Sequence, residues 1–322
     1  MSEHRGRLIL AFIAVYLVWG STYLGIRIAI ETMPPFLMAG MRFLVAGTVL
    51  YVVARLRGAP TPTRPQWIAC AIVGALLLLG GNGGVAWGEL VVPSSLAALL
   101  VATEPLWIAI LDWLRPGGQR PTAFVAVGLL IGFAGVAVLV SPGHLVGGTA
   151  INPIGAMVIL GASVSWAIGS LYAARGANLP ASPLLATGAQ MLIGSLMFGI
   201  ASLASGEFSR FSVGAVSARS WWALVYLILI GALIGFSAYT YMLKNASPAK
   251  TSTYAYVNPV VAVFLGWAFA GEAITPRTLL AAATIVGAVV VITSAKSRAF
   301  ERARGAIRGA GRRLTGSGER SA

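Results

Sequence analysis

Long apolar runs, one after another, leave this chain few ways to fold. A helix needs about 20 apolar residues to cross the hydrocarbon core of a bilayer, and ten such runs can be marked: 8–30, 35–55, 66–88, 93–113, 121–141, 153–174, 182–203, 221–243, 249–270 and 276–295. With 57% hydrophobic and 10% charged residues, the composition lies outside the soluble class. The expectation is an all-α polytopic membrane protein. Its least certain division is 66–113, where Gly80-Gly81-Asn82-Gly83-Gly84 and Pro93 also read as a flexible stretch between fewer spans.

Orientation follows from Lys and Arg in the short connections. With the N-terminus in the cytoplasm, eighteen basic residues fall inside and three outside (Arg210, Arg219 and Arg277), while Arg27 and Arg42 lie within spans. This bias predicts an even number of crossings with both termini cytoplasmic. The first span follows Arg5 and Arg7 as a signal peptide would, but its apolar run continues past Trp19 and Tyr23 without a small-x-small cleavage site, so it is read as a mature helix. The basic tail, 296–322, is too polar to cross, and its expected partners are anionic lipid headgroups.

Several functions are excluded or disfavoured. The net charge of +14 is spread over short clusters and the tail, with no basic stripe and interleaved aromatics, which argues against nucleic acid. One cysteine, Cys70, and two histidines, His4 and His144, give neither a disulfide nor a metal-ligand set. No phosphate loop and no Ser-His-Asp set occur, so neither ATP-driven pumping by this chain alone, nor an enzyme, nor a cofactor is expected.

Similar elements recur in order along the chain. Gly20-Ser21-Thr22-Tyr23 matches Gly169-Ser170-Leu171-Tyr172, Pro34 falls on Pro183, Glu104-Pro105 on Asn258-Pro259, and Pro121 on Pro276. Together they predict a duplication, with halves at 1–145 and 150–295. Five spans per half force the second copy to enter the membrane from the opposite side. The expected architecture is therefore ten transmembrane helices as two inverted five-helix repeats, an arrangement in which secondary transporters hold substrate near the midplane beside broken helices. The two X-Pro positions and Gly80 to Gly84 mark the candidate breaks.

Glu104 is the foremost site candidate, because a carboxylate at that depth costs about 2.5–3.5 kcal/mol on insertion scales and needs a partner or a wet cavity. It reads equally as a binder of a cationic group or a proton and as the ion-pair partner of Arg42. Arg42 in turn reads as that partner or as a bidentate ligand for a substrate carboxylate. Trp19, Tyr23, Trp166, Tyr239 and Tyr254 lie away from span ends and suit an amphipathic cavity, whereas Trp67 and Trp221-Trp222 suit the interfacial belt. Asn82 and Asn258 offer uncharged hydrogen bonding, or packing between helices. Arg27, near its helix end, is expected to snorkel, and Asp112 beside Arg115 to form a surface pair or gate.

Trp19-Gly20-Ser21-Thr22-Tyr23, Arg42-Phe43, Glu104-Pro105-Leu106-Trp107 and Gly271-Glu272, in this order and spacing, resemble the EamA family of the drug/metabolite transporter superfamily over residues 8–295. The resemblance implies ten helices in two inverted halves in a prokaryotic cytoplasmic membrane, and export of small metabolites. The second half departs from the pattern: Asn258 replaces the acid and Met191 stands opposite Arg42. An acid, a base and several aromatics in one cavity point to amino acids or similar amphipathic solutes. An ion- or proton-conducting channel and an importer remain the alternative readings.

Overall fold

The computed structural model describes residues 2–118, 120–141, 151–246 and 253–294, and is helical throughout with no strand among them. Among the described residues nine helices have the length and apolarity to cross a membrane: α1 Arg5–Ala29, α2 Pro35–Leu56, α3 Arg64–Gly88, α4 Ser94–Leu114, α5 Ala123–Val140, α6 Pro153–Ala174, α7 Pro183–Ala204, α8 Ala218–Tyr239 and, last of them, α10 Pro276–Ser294. Between the last two lies the shorter apolar helix α9, Tyr254–Ala270. The ten apolar runs thus become ten helices, and large side chains such as Leu10, Leu130 and Leu196 project outward, as a lipid-facing surface requires. Residues 249–252 of the expected ninth span, and the tail from 296, lie outside the described residues.

The division of 66–113 is settled by where the helix ends. Gly80 to Gly84 does not interrupt α3: residues Gly74–Gly83 continue it as a π-helix, and the break comes at the 89–93 link. A matching π-segment, Leu227–Ile234, lies within α8. Of the two X-Pro positions, only the first coincides with a break. Helix α4 is interrupted at Ala102-Thr103 between Ser94–Val101 and Glu104–Leu114, where Pro105 fits the first turn because no helical N–H is needed there. Asn258-Pro259, by contrast, sits inside continuous α9.

Small residues bring α2 and α7 into close contact. A Cβ on Gly47 would stand 2.9 Å from the Leu192 backbone nitrogen, and one on Gly188 2.7 Å from that of Tyr51. Phe43 stacks on Phe198 in the same interface, centroids 5.8 Å apart. Without a hydrophobic drive between helices in lipid, such backbone proximity supplies the van der Waals contact that holds them.

One end of the bundle is fastened by two carboxylates. After α7, Gly206 turns the chain in the left-handed conformation (φ 69°) and Glu207 accepts from Leu37 N at 2.9 Å and Phe36 N at 3.3 Å, at the start of α2. After α9, Gly271 does the same (φ 65°), and Glu272 accepts from Ser94 N, Ser94 Oγ and Ser95 N at 2.7–2.8 Å, at the start of α4. Both meet the unpaired donors and positive dipole of a helix N-terminus. Thr32 to Ser220 (2.8 Å) and Arg277 Nε to the Val138 carbonyl (3.0 Å) tie further links together at this end. The opposite end carries an exposed cluster instead: Asp112, near the end of α4, accepts from Arg115 at 2.8 Å and from Arg175, after α6, at 2.5 Å.

Candidate functional site

Helices α1, α2, α3, α4, α6, α8 and α9 enclose a cavity of about 100 Å³. Eight of the nine residues singled out from the sequence line it: Trp19, Tyr23, Arg42, Asn82, Glu104, Trp166, Tyr254 and Asn258. Tyr239 stands one layer behind, its ring 4.9 Å from Trp19 and 5.7 Å from Tyr254. The wall also contains Gly81, from the glycine cluster marked as a candidate break, and Thr22, Val85, Val101 and Phe236, which were not named as site residues. Phe236 was not weighed because only tryptophans and tyrosines were considered for the lining.

Trp19 is the centre of an aromatic box. Tyr254 meets it perpendicularly at 5.4 Å and Phe236 edge-on at 5.3 Å, geometries favoured by the ring quadrupole. A Cβ on Gly235 would fall 2.6 Å from the Trp19 indole nitrogen, so the glycine makes room for the ring.

The two charges in the wall are not joined to each other. Among the described residues, neither Arg42 nor Glu104 has a hydrogen-bond or ion-pair partner, so the ion pair that was one of the two readings of Glu104 does not form. Arg42 is 4% exposed, its Nε is buried without an acceptor, and its guanidinium lies over the Phe43 ring at 4.9 Å. That contact gives a cation some stabilisation but no counter-charge. Glu104 opens the second segment of α4, where the helix N-terminus favours a carboxylate, and the hydroxyls of Tyr23, Tyr239 and Tyr254 lie within its electrostatic reach. A buried guanidinium and a half-buried carboxylate, each without a counter-ion, can both be satisfied by one ligand bearing both charges.

The amides are partly committed to the backbone. Asn82 Nδ2 donates to the Leu77 carbonyl, five residues back within the π-segment, at 3.3 Å. Asn258 is buried, and with its amide set to the surrounding carbonyls its Nδ2 donates to Tyr16 and Tyr254, each at 3.3 Å. Both π-segments also bring a glycine to the site. A Cβ on Gly81 would stand 2.6 Å from the Trp166 ring, and one on Gly231 3.3 Å from Arg42 Nη2. π-Bulges recur at functional positions because they re-aim side chains and free carbonyls.

Two charged residues given smaller roles lie elsewhere. Arg27 donates to the Glu89 backbone carbonyl at 2.5 Å instead of simply reaching for headgroups, and Asp112 belongs to the far end. Among the described residues no group of three His, Cys, Asp or Glu side chains could hold a metal ion.

The chain is similar to transporters over nearly its full length. An uncharacterized inner membrane transporter of Escherichia coli (strain K12), YedA, is 42% identical over 287 residues, covering 89% of this chain and 90% of that protein. The uncharacterized transporter YvbV of Bacillus subtilis (strain 168) is 27% identical, over 93% and 94% of the two chains. A probable terminal-alkyne amino-acid exporter of Streptantibioticus cattleyicolor is 26% identical, over 88% and 92%. A solved crystal structure, 22% identical, aligns over 91% of this chain and 98% of its own with a TM-score of 0.63, a likeness of fold alone. The model of the EamA-like transporter family matches residues 6–141 and again residues 153–294. With ten apolar helices among the described residues, seven of them around a polar, aromatic cavity, and a family match across both stretches, this chain belongs to the EamA-like transporter family, and is a membrane transporter, not an enzyme.

Proposed function

We propose that this protein exports amino acids or similar zwitterionic, amphipathic solutes across a prokaryotic cytoplasmic membrane by alternating access between two inverted five-helix halves. The observation that carries the reading is the unpaired Arg42 and Glu104 in one aromatic-lined cavity. A solute carboxylate meets the guanidinium, its ammonium meets the carboxylate, and its side chain rests against Trp19, Trp166 and Tyr254. A cation alone leaves the buried guanidinium uncompensated, and an anion alone leaves the Glu104 carboxylate without a counter-charge.

The two-half mechanism is supported by the successive family matches, by the π-segments in α3 and α8, and by the repeated glycine-glutamate fastening of α2 and α4. A cavity of about 100 Å³ is small beside ordinary ligand clefts of roughly 300–1,000 Å³, so the solute enters after the halves part at one end. The charge bias of the connections supports cytoplasmic termini, which puts the end bearing Glu207 and Glu272 outside. The outward direction is supported by the amino-acid exporter among the relatives. The solute is the only small-molecule partner proposed, besides lipid for the apolar surface and anionic headgroups for the basic tail.

Purified protein in liposomes tests this by counterflow. Saturable exchange of amino acids is expected. Steady ion conductance without exchange of any solute supports a channel and removes the proposal.

A further inference from the structure

Glu89, in the link between α3 and α4, is 0% exposed, and neither of its carboxylate oxygens has a hydrogen-bond partner. The nearby donors are spent elsewhere. Arg27 of α1 gives its Nη1 to the Glu89 backbone carbonyl, and the Ser94 and Ser95 amides, five and six residues on, go to Glu272. The groups that face Glu89 are Arg27 and Tyr23 from α1 and Glu272 from the α9–α10 link. Arg27 and Glu272 also wall a larger pocket, about 450 Å³, with Glu31 and Arg219 at this end.

The two acids are treated oppositely by their surroundings. Glu272 receives three donors at the N-terminus of α4. Glu89 follows the last turn of α3, has no donor, and faces the Glu272 charge. Burial first, then Glu272, pushes its carboxyl well above the usual range, and Arg27 only partly offsets them.

We propose that Glu89 is a proton-binding site that controls this end of the transporter, protonated while the end is closed and ionised when the end opens to water. On opening, the Glu89 O–H bond breaks and its proton passes to the water entering at that face; on closing, the proton returns. By linkage, a carboxyl whose proton affinity is higher in the closed state favours closure at low pH and loses that contribution as pH rises. The assignment builds on the transporter reading, but its test needs no solute and so can fail separately from counterflow.

The test is labelling by a membrane-impermeant maleimide after Ile26→Cys in a Cys70→Ser background. Ile26 lines the cavity near this end and is 4% exposed. Rates are normalised to Phe208→Cys, an exposed position at the same end. The normalised rate should climb with pH by up to about tenfold per unit, the limit for one proton. Glu89→Gln should flatten the dependence at a low rate, and Glu104→Gln should preserve it. A dependence that survives Glu89→Gln, or vanishes only with Glu104→Gln, overturns the proposal. If Glu89→Gln fails to fold, infrared difference spectra of the Glu104→Gln protein decide. A protonated carboxyl free of hydrogen bonds should be present at neutral pH and disappear on alkalinisation, and its absence contradicts the assignment.

Discussion

Arg42 and Glu104 stand in the wall of the same cavity, on α2 and α4, and do not pair with each other. Each is held apart by its own surroundings, the guanidinium over Phe43 and the carboxylate at the start of a helical segment. A direct ion pair would have filled the charge requirement of both and left nothing for a solute. On the proposed reading, the separation leaves both charges available to a molecule that carries two.

Substituting either charge should lower exchange without unfolding the protein. A hydrogen bond to a charged group is worth about 1.5–3 kcal/mol, so Arg42→Gln and Glu104→Gln should each weaken binding of a zwitterion by roughly ten- to 150-fold. Binding of a labelled amino acid to detergent-purified protein measures this directly. Unaltered affinity in both variants assigns the charges a structural role.

The Glu272 fastening should be worth measurable stability. Glu272→Ala strips three donors of their acceptor at the first turn of α4, and cap removal costs about 0.5–2 kcal/mol. A lower melting temperature is expected, as for Glu207→Ala at α2. Because the fastening lies at one end, Glu272→Ala should also speed maleimide labelling at Ile26→Cys. Unchanged labelling with lowered stability would make it a structural cap alone.

At the opposite end, Asp112→Asn should shift stability by less than about 1 kcal/mol, because Asp112, Arg115 and Arg175 are all a third exposed or more and their pairing is screened. Thermal unfolding at low and high salt checks this. A loss as large as that from Glu272→Ala would contradict the contrast drawn between the two ends.

Two glycine substitutions should separate packing from function. Gly47→Ala presses a methyl onto the Leu192 backbone, which cannot move alone, and should destabilise the protein by about 1–3 kcal/mol. Gly81→Ala presses onto the Trp166 ring instead, a side chain of the cavity wall, and should change exchange more than melting temperature. Equal effects of the two on both quantities would place Gly81 in the scaffold.

Much of this architecture was legible because the bilayer makes long apolar runs an unambiguous signal. Glu104, Arg42, Trp19 and Tyr254 stood out since charges and polar rings are costly at membrane depth. The run 66–88 forms one helix through Gly80 to Gly84, but sequence pattern did not choose between that and a flexible stretch, because a π-turn and a break have the same glycine-rich composition. Nor did it show that Arg42 and Glu104 remain unpaired, because sequence position does not fix how two helices face each other. Glu89 was overlooked for lying past the end of its span, where an acid is usually solvated; its burial comes from neighbours distant in sequence.

The most direct measurement is counterflow in proteoliposomes of one amino acid against its methyl ester, which is only a cation, and its N-acetyl derivative, which is only an anion. The unmodified amino acid should exchange at least about tenfold faster than either, the effect of one lost charged hydrogen bond. Arg42→Gln should narrow the gap to the ester and Glu104→Gln the gap to the N-acetyl form. Equal rates for all three solutes, or the same ranking in both variants as in the parent, would contradict a site built for a zwitterion.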